Sequence, residues 1–331
     1  MLGLRRRLAE RGVLGINRRN ADYVRVLNPR RLYPLVDDKL RTKALALEAG
    51  VAVPELYGVI ASQHEVVRVL PQVLEGREQF VVKPAHGAGG DGIVVITGRR
   101  GKLFRKASGL LMSRDELDHH LSSMLSGLFS LGGQRDRVMI EYCVQFDPLF
   151  EQVAFQGVPD IRIIVFHGYP VMAMVRLPTR ASDGKANLHQ GAVGAGIDLA
   201  TGRTLTGVSG TELVDEHPDT GHPIAGLQIP GWETILAIAA RSYEMTGLGY
   251  LGADLVLDRT RGPLMLELNA RPGLAIQIAN RQGLWKRLQV VEAERAPDAP
   301  AEERVVFSRE RFRHDGEVRS SSDLDASAMQ A

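Results

Sequence analysis

Apolar and polar positions along this chain shift between the helical and the strand period, and punctuating residues mark where they shift. Asp37 and Asp38 open a helix that runs through Ala49, with acids at its start and Gly50 after its end. A strand at 56–60, a helix at 62–74 and a strand at 79–83 follow, then an apolar strand at 93–97, a helix at 113–131 and a strand at 137–142. In the second half, DIRIIVF from Asp160 and YPVMAMVRL are joined by His167-Gly168 and read as an antiparallel hairpin. An amphipathic helix at 232–246 leads to apolar strands at 252–257 and 264–269, linked by Arg259 to Gly262, and a further helix spans 274 to about 288. Residues 1–34 suggest one short helix and an irregular arm. The glycine-rich run 202–230 reads as an irregular excursion with no chemistry assigned, and beyond Val290 Pro297, Pro300 and a Ser-rich end predict a disordered tail.

The strand at 264–269 is expected to alternate, with Leu264, Leu266 and Leu268 facing a core and Met265, Glu267 and Asn269 sharing the other face. A carboxylate and an amide oxygen then lie side by side. Such a pair suits a small hard cation, which takes one or two carboxylates with waters and phosphates, and the hairpin would bring Asp254 to the same place. The alternative is a half-buried hairpin whose solvent face is polar.

A second candidate is Lys83-Pro84-Ala85-His86-Gly87-Ala88-Gly89-Gly90-Asp91-Gly92, with four glycines in six residues. Glycines let backbone N–H groups close on an anion, and Lys83 adds a cation at the end of the strand that feeds the loop. The loop leads into a strand, so neither the P-loop nor the dinucleotide fingerprint fits, and a hairpin tip is the competing reading. Asp160 and Arg162 share a strand face, which alone reads as a surface pair of little consequence. Arg176, at the end of an apolar strand, is harder to dismiss.

Composition narrows the class. At 331 residues with 44% hydrophobic residues the chain can fill a core of two or three subdomains, and a net charge of +2 gives no overall pull toward nucleic acid or membrane. Residues 1–40 nevertheless carry ten basic side chains against four acidic ones. One cysteine, Cys143, rules out an intrachain disulfide and fits a reducing compartment. No apolar run has the length of a membrane span, and arginines interrupt any signal-like segment, so the cytoplasm is the expected location.

In order, Lys39, Lys83 with its glycine loop, Glu141, Asp160, Arg176, Asn187, Asp254, Glu267 and Asn269 resemble the ATP-grasp superfamily over residues 36–289. The pair DLVL and LELN with Arg271-Pro272-Gly273 behind it is the most specific part. DIR followed by NLHQGA narrows the resemblance to the alpha-L-glutamate ligases that act on a ribosomal protein and their relatives. The resemblance implies an α+β, ATP-grasp fold of two α+β subdomains gripping ATP. It divides the chain into a basic arm (1–35), an N-lobe with the glycine loop (36–141), a C-lobe with the metal site (142–290) and the tail (291–331). With only 38 residues ahead of Lys39, the usual N-terminal pre-grasp domain is expected to be reduced to the arm.

The same resemblance assigns roles. Lys39 and Lys83 contact the phosphates of ATP, and the loop containing His86, Gly87, Gly89, Gly90 and Gly92 closes over them. Glu141, Tyr142, Cys143 and Val144 form the hinge that reads adenine, with the Glu141 carboxylate at its edge, and Asp160 binds ribose. Lys185 and Asn187 approach the nucleotide. Asp254, Glu267 and Asn269 hold Mg2+, or Mn2+ in its place, and Arg176 and Arg271 stabilise anionic intermediates as the catalytic arginines. The implied reaction is ATP-dependent ligation of a carboxylate to an amine through an acylphosphate, the acceptor being an amino acid, peptide or protein. A partner protein or a second copy would supply the missing substrate domain. A small-molecule kinase, a sugar-transfer-associated ATP-grasp protein and a nucleotide-binding module without turnover are the alternatives.

Overall fold

The computed structural model describes residues 2–87 and 89–314. Two compact units emerge, one spanning Asp37–Gln145, the other built from the described residues up to Val36 and from Phe146. In the first unit β1 (Leu56–Ile60), β2 (Phe80–Pro84), β3 (Val94–Arg100), β4 (Leu103–Lys106), β5 (Leu111–Met112) and β6 (Val138–Glu141) form an antiparallel sheet. Their order is β1-β6-β2-β3-β4-β5. Phe80, Val82, Ile96, Phe104 and Ile140 on one face pack against Leu117, Leu121 and Met124 of the helix Arg114–Leu125. That helix starts at a Ser113/Glu116 capping box, two reciprocal bonds that satisfy its first free N–H groups. It stops short of the expected Leu131 because Gly127 turns at φ 92, where a Cβ would lie 2.3 Å from the Gln134 carbonyl oxygen.

The second unit holds β7 (Asp160–Phe166), β8 (Tyr169–Leu177), β9 (Val193–Ile197), β10 (Thr204–Ser209), β11 (Glu212–Val214), β12 (Tyr250–Asp258) and β13 (Gly262–Asn269). These are antiparallel neighbours in the order β11-β10-β9-β8-β7-β12-β13. β8 and β12 are buried along their whole length. His167 and Gly168, both at positive φ, make the two-residue turn between β7 and β8. The run 202–230, expected to be irregular, supplies β10 and β11 to this sheet.

Three further expectations change. The helix expected over 274–288 is two helices, Ile276–Asn280 and Leu284–Glu294, parted at Arg281, which sits at φ 54. The N-terminal arm fills the break. Leu14 N donates to Gln277 Oε1 at 2.8 Å, Trp285 N donates to the Gly12 carbonyl at 2.9 Å, and any Cβ on Gly283 would lie 2.1 Å from the Gly12 carbonyl carbon. The arm is therefore part of this unit's core: Tyr23 and Val24 are buried, and buried Asn28 donates to the Tyr250 and Ala270 carbonyls. The tail expected from 291 holds a helix, Ala301–Arg311, that buries Ala301, Arg304, Val305 and Ser308. Residues beyond 314 lie outside the described part.

Candidate active site

In the Asp37–Gln145 unit, three ionic side chains meet under the sheet. Asp38 caps the helix Lys39–Glu48, its Oδ1 accepting from Leu40 N at 3.0 Å, and so fixes the start of the turn that carries Lys39 and, four residues on, Lys43. The β2–β6 register sets Glu141 opposite Val81, two residues from Lys83 and on the same face. Lys83 Nζ pairs with Glu141 Oε1, and Lys43 Nζ lies 3.2 Å from Glu141 Oε2 while donating to the Pro54 carbonyl. All three are buried. Burial pulls the Lys43 ammonium below the usual lysine range; Glu141 opposes that shift and Lys83 reinforces it. The Glu141 carboxylate, expected at the adenine edge, is thus the shared counter-ion of two lysines.

The glycine loop is anchored at its root. Asp136 accepts from His86 N at 3.0 Å and from Ser130 Oγ at 2.5 Å, and lies 2.7 Å from His86 Nδ1. Burial pushes the Asp136 carboxyl up, but these bonds outweigh it and hold it below the usual range. Lys39 Nζ donates to the Gly87 carbonyl. Gly89, Gly90 and Gly92 all have positive φ, and at Gly92 a Cβ would meet the Phe129 ring at 2.6 Å. Past β6, Tyr142 N donates to the Glu55 carbonyl at 2.9 Å, Cys143 is buried with its carbonyl accepting from Gln145 Nε2, and Val144 is half-buried.

In the other unit a carboxylate–guanidinium cluster crosses four strands, β8, β7, β12 and β13. Register pairs Asp160 with Arg176, Arg162 with Asp254, and Asp254 with Glu267. Arg162 grips Asp254 with two bonds, from Nε at 2.7 Å and from Nη2. Arg176 grips Asp160 in the same bidentate way and adds a bond from Nη2 to Asp254 at 2.9 Å. Burial pushes the Asp254 carboxyl up, but the two guanidiniums overcome it and hold it well below the usual range. For the Asp160–Arg176 pair, burial pushes the Asp160 carboxyl up and the negative Asp254 adds to it, against the pull of Arg176. Asp160 and Arg162 are therefore no surface pair: Asp160 is buried, and the Arg162 side chain is only 13% exposed.

The β13 face differs from the expected alternation. The register shifts between Asp254 and Leu255, leaving Leu266 as an extra residue, so Met265 is buried and Leu266 is only half-buried. Glu267 and Asn269 lie beyond the bulge and keep their common face, with Glu267 opposite Asp254. Asn269 Oδ1 accepts from Arg271 N at 2.8 Å, and the exposed Arg271 guanidinium stands 5.3 Å from the centre of the Tyr33 ring. Arg19, an arm residue now buried, donates to the Pro272 carbonyl at 2.7 Å and holds the turn behind Arg271.

Lys185 and Asn187 lie in the loop between β8 and β9. Asn187 Oδ1 turns back to accept from His189 N, and Lys185 N donates to the Ser182 carbonyl. The excursion braces this loop: buried His217 meets the Pro178 carbonyl at 3.0 Å, and Asp219 accepts from Arg180 N at 2.7 Å.

Among the described residues no three His, Cys, Asp or Glu side chains converge as a metal cluster. At the β12–β13 end, Arg162 and Arg176 occupy both oxygens of Asp254 and Arg176 both oxygens of Asp160, so a divalent cation there would have to draw on Glu267 and Asn269 and share Asp254 with the arginines. Three carboxylates against two guanidiniums leave one negative charge in surplus, with the Asn269 amide oxygen on the Glu267 face. Lys43 and Arg162 are the members that sequence reasoning missed. The four-residue step from Lys39 would have signalled Lys43.

A family model described as sugar-transfer associated ATP-grasp matches residues 18–293. A probable alpha-L-glutamate ligase of Klebsiella pneumoniae (strain 342) is 25% identical over 255 residues, 75% of this chain and 62% of that protein. This chain therefore spans less than two thirds of that relative. Among solved structures, the D-alanine-D-alanine ligase of Coxiella burnetii is 11% identical, with 90% of this chain and 63% of that one covered, at a TM-score of 0.44. A RiPP-associated ATP-grasp ligase of Chryseobacterium gregarium, in complex with ADP and a leader and core peptide, is 12% identical over 82% of this chain and 63% of that one, at 0.46.

Proposed function

This chain belongs to the sugar-transfer-associated ATP-grasp family, and from that premise we propose that it is an ATP-dependent ligase joining a carboxylate to an amine. The observation that carries the proposal is the opposition of Glu267 to Asp254 across β12 and β13, with Arg162 and Arg176 both locked onto Asp254 and Arg176 also onto Asp160. Groups of this kind act on transferring phosphate by position and charge.

In this reading Lys39 and Lys83 are point charges for the phosphates and the glycine loop covers them. The backbone at Tyr142–Val144 reads adenine, Asp160 receives the ribose, and Lys185 and Asn187 approach the nucleotide. Asp254, Glu267 and Asn269 would hold Mg2+, which when bound would neutralise phosphate charge as it develops. Arg176 and Arg271 steady the anionic intermediate. The substrate carboxylate oxygen attacks the γ-phosphorus and ADP departs with the bridging oxygen. The amine nitrogen then attacks the acyl carbon, phosphate leaves, and the nitrogen gives up a proton. No serine, cysteine or histidine nucleophile is required.

The test is incubation with Mg-ATP, a pool of amino acids and hydroxylamine. Hydroxamate formed in proportion to the carboxylate and to ADP release is the expected result. ADP release that depends on a hydroxyl compound and gives no hydroxamate would replace the ligase with a kinase, and failure to bind ATP would remove the proposal altogether.

A further inference from the structure

The sharing of one buried carboxylate by two lysines has a consequence for how Lys83 reaches a phosphate. The side chains of Lys83, Lys43 and Glu141 are 8%, 8% and 4% exposed, so none of them can leave the group without altering the balance of the other two. Glu141 Oε1 is bonded to Lys83. Glu141 Oε2 is buried and stands 3.2 Å from Lys43 Nζ as an ion pair without a well-aligned hydrogen bond, while Lys43, which carries three N–H donors, gives one of them to the Pro54 carbonyl. A carboxylate oxygen with an ammonium beside it and no bond from it has room for one more.

On the reading that Lys83 binds a nucleotide phosphate, we propose that Lys43 is a positioning residue: it takes over Glu141 when Lys83 leaves for the phosphate. Without Lys43, that departure would strand a buried carboxylate with no counter-ion, a state costly enough to keep Lys83 where it is. With Lys43 present, Glu141 closes its free oxygen onto the second ammonium as the first departs. The departure of Lys83 also removes the positive neighbour that disfavours charge on Lys43. The Glu141 side chain then acts through the lysines, not on adenine.

Calorimetric binding of ATP and of adenosine to the full chain and its variants tests this. In Lys43→Met, ATP affinity is expected to fall by about tenfold or more, while adenosine, which has no phosphate to draw Lys83 out, binds as before. In the double variant Lys43→Met/Glu141→Gln there is no charge to strand, and ATP affinity returns to within about threefold of Glu141→Gln alone. A merely structural role for Lys43 would give no such rescue. Unchanged ATP binding in Lys43→Met, or a double variant as weak as the single one, overturns the exchange. Should Lys43→Met fail to fold, Glu141→Gln alone decides: tighter ATP binding with unaltered adenosine binding supports the exchange, and weaker adenosine binding overturns it by returning Glu141 to adenine. If the unmodified chain binds adenosine and ATP equally weakly, the nucleotide reading fails first, a result distinguishable from wild-type ATP binding that Lys43→Met leaves intact.

Discussion

The two ionic clusters are built on opposite plans. In the Asp37–Gln145 unit two lysines share one carboxylate, leaving a positive surplus; at the β12–β13 end three carboxylates face two arginines, leaving a negative one. The choice of cation follows the job. An ammonium is a compact charge on a flexible stem that can exchange one oxygen for another, whereas a guanidinium fork matches a carboxylate in two bonds and holds it in plane. The lysine cluster is suited to letting go of an anion and the arginine cluster to keeping its anions aligned.

Asp254→Asn breaks that contrast most severely. It removes the carboxylate both guanidiniums share, and the loss of a partner from a buried ion pair costs about 3–5 kcal/mol. Urea unfolding is expected to register that loss, with hydroxamate turnover abolished. A stability change below 1 kcal/mol would mean that the arginines are not committed to Asp254.

Glu267→Gln separates the chemistry from the scaffold. Glu267 is half-buried on β13 at the sheet's edge, so stability is expected to move by less than about 1 kcal/mol, while turnover drops about 100-fold or more. ATP affinity changes much less, because charge opposite the transferring phosphate matters most during transfer. Turnover measured beside a binding titration checks this.

The smallest effect is in pH. Asp254 has a depressed folded pKa, so its contribution to stability is fully present above the ordinary carboxylate value of about 4 and is lost as pH falls below that value toward the folded one. Unfolding free energy measured from pH 5 down to 2 should therefore fall more steeply in the wild type than in Asp254→Asn. Equal slopes would show that Asp254 is not held by its arginines in solution.

Much of this was legible in the chain because strand periodicity survives in a sheet whose turns are short. His167-Gly168 set its hairpin, and the spacing of the acids along β12 and β13 foretold that Asp254 and Glu267 would lie opposite each other. What stayed hidden was set by partners distant in sequence. Arg19 and Arg304 look like solvated charge until the Pro272 carbonyl and Glu244 appear beside them. Val305, Ser308 and Phe312 follow a helical step that mixed charge and the prolines before it disguised. Arg162 read as a surface charge because nothing in β7 alone tells that β12 brings Asp254 against it. The bulge at Leu266 was equally invisible, since it exists only in the pairing of two strands.

The closure of Gly12 onto Gly283 also sets a timetable for synthesis. Leu14 and Gln277 are 263 residues apart, and a ribosome adding about 5–20 residues per second needs roughly 10–50 s to cross that interval. Throughout it Gly12 and Leu14 have been made and their partners have not, whereas Asp37–Gln145, a contact unit continuous in sequence, is complete long before. Until Gln277 to Trp285 have been translated, the backbone around Gly12 and Leu14 has no partner on which to close.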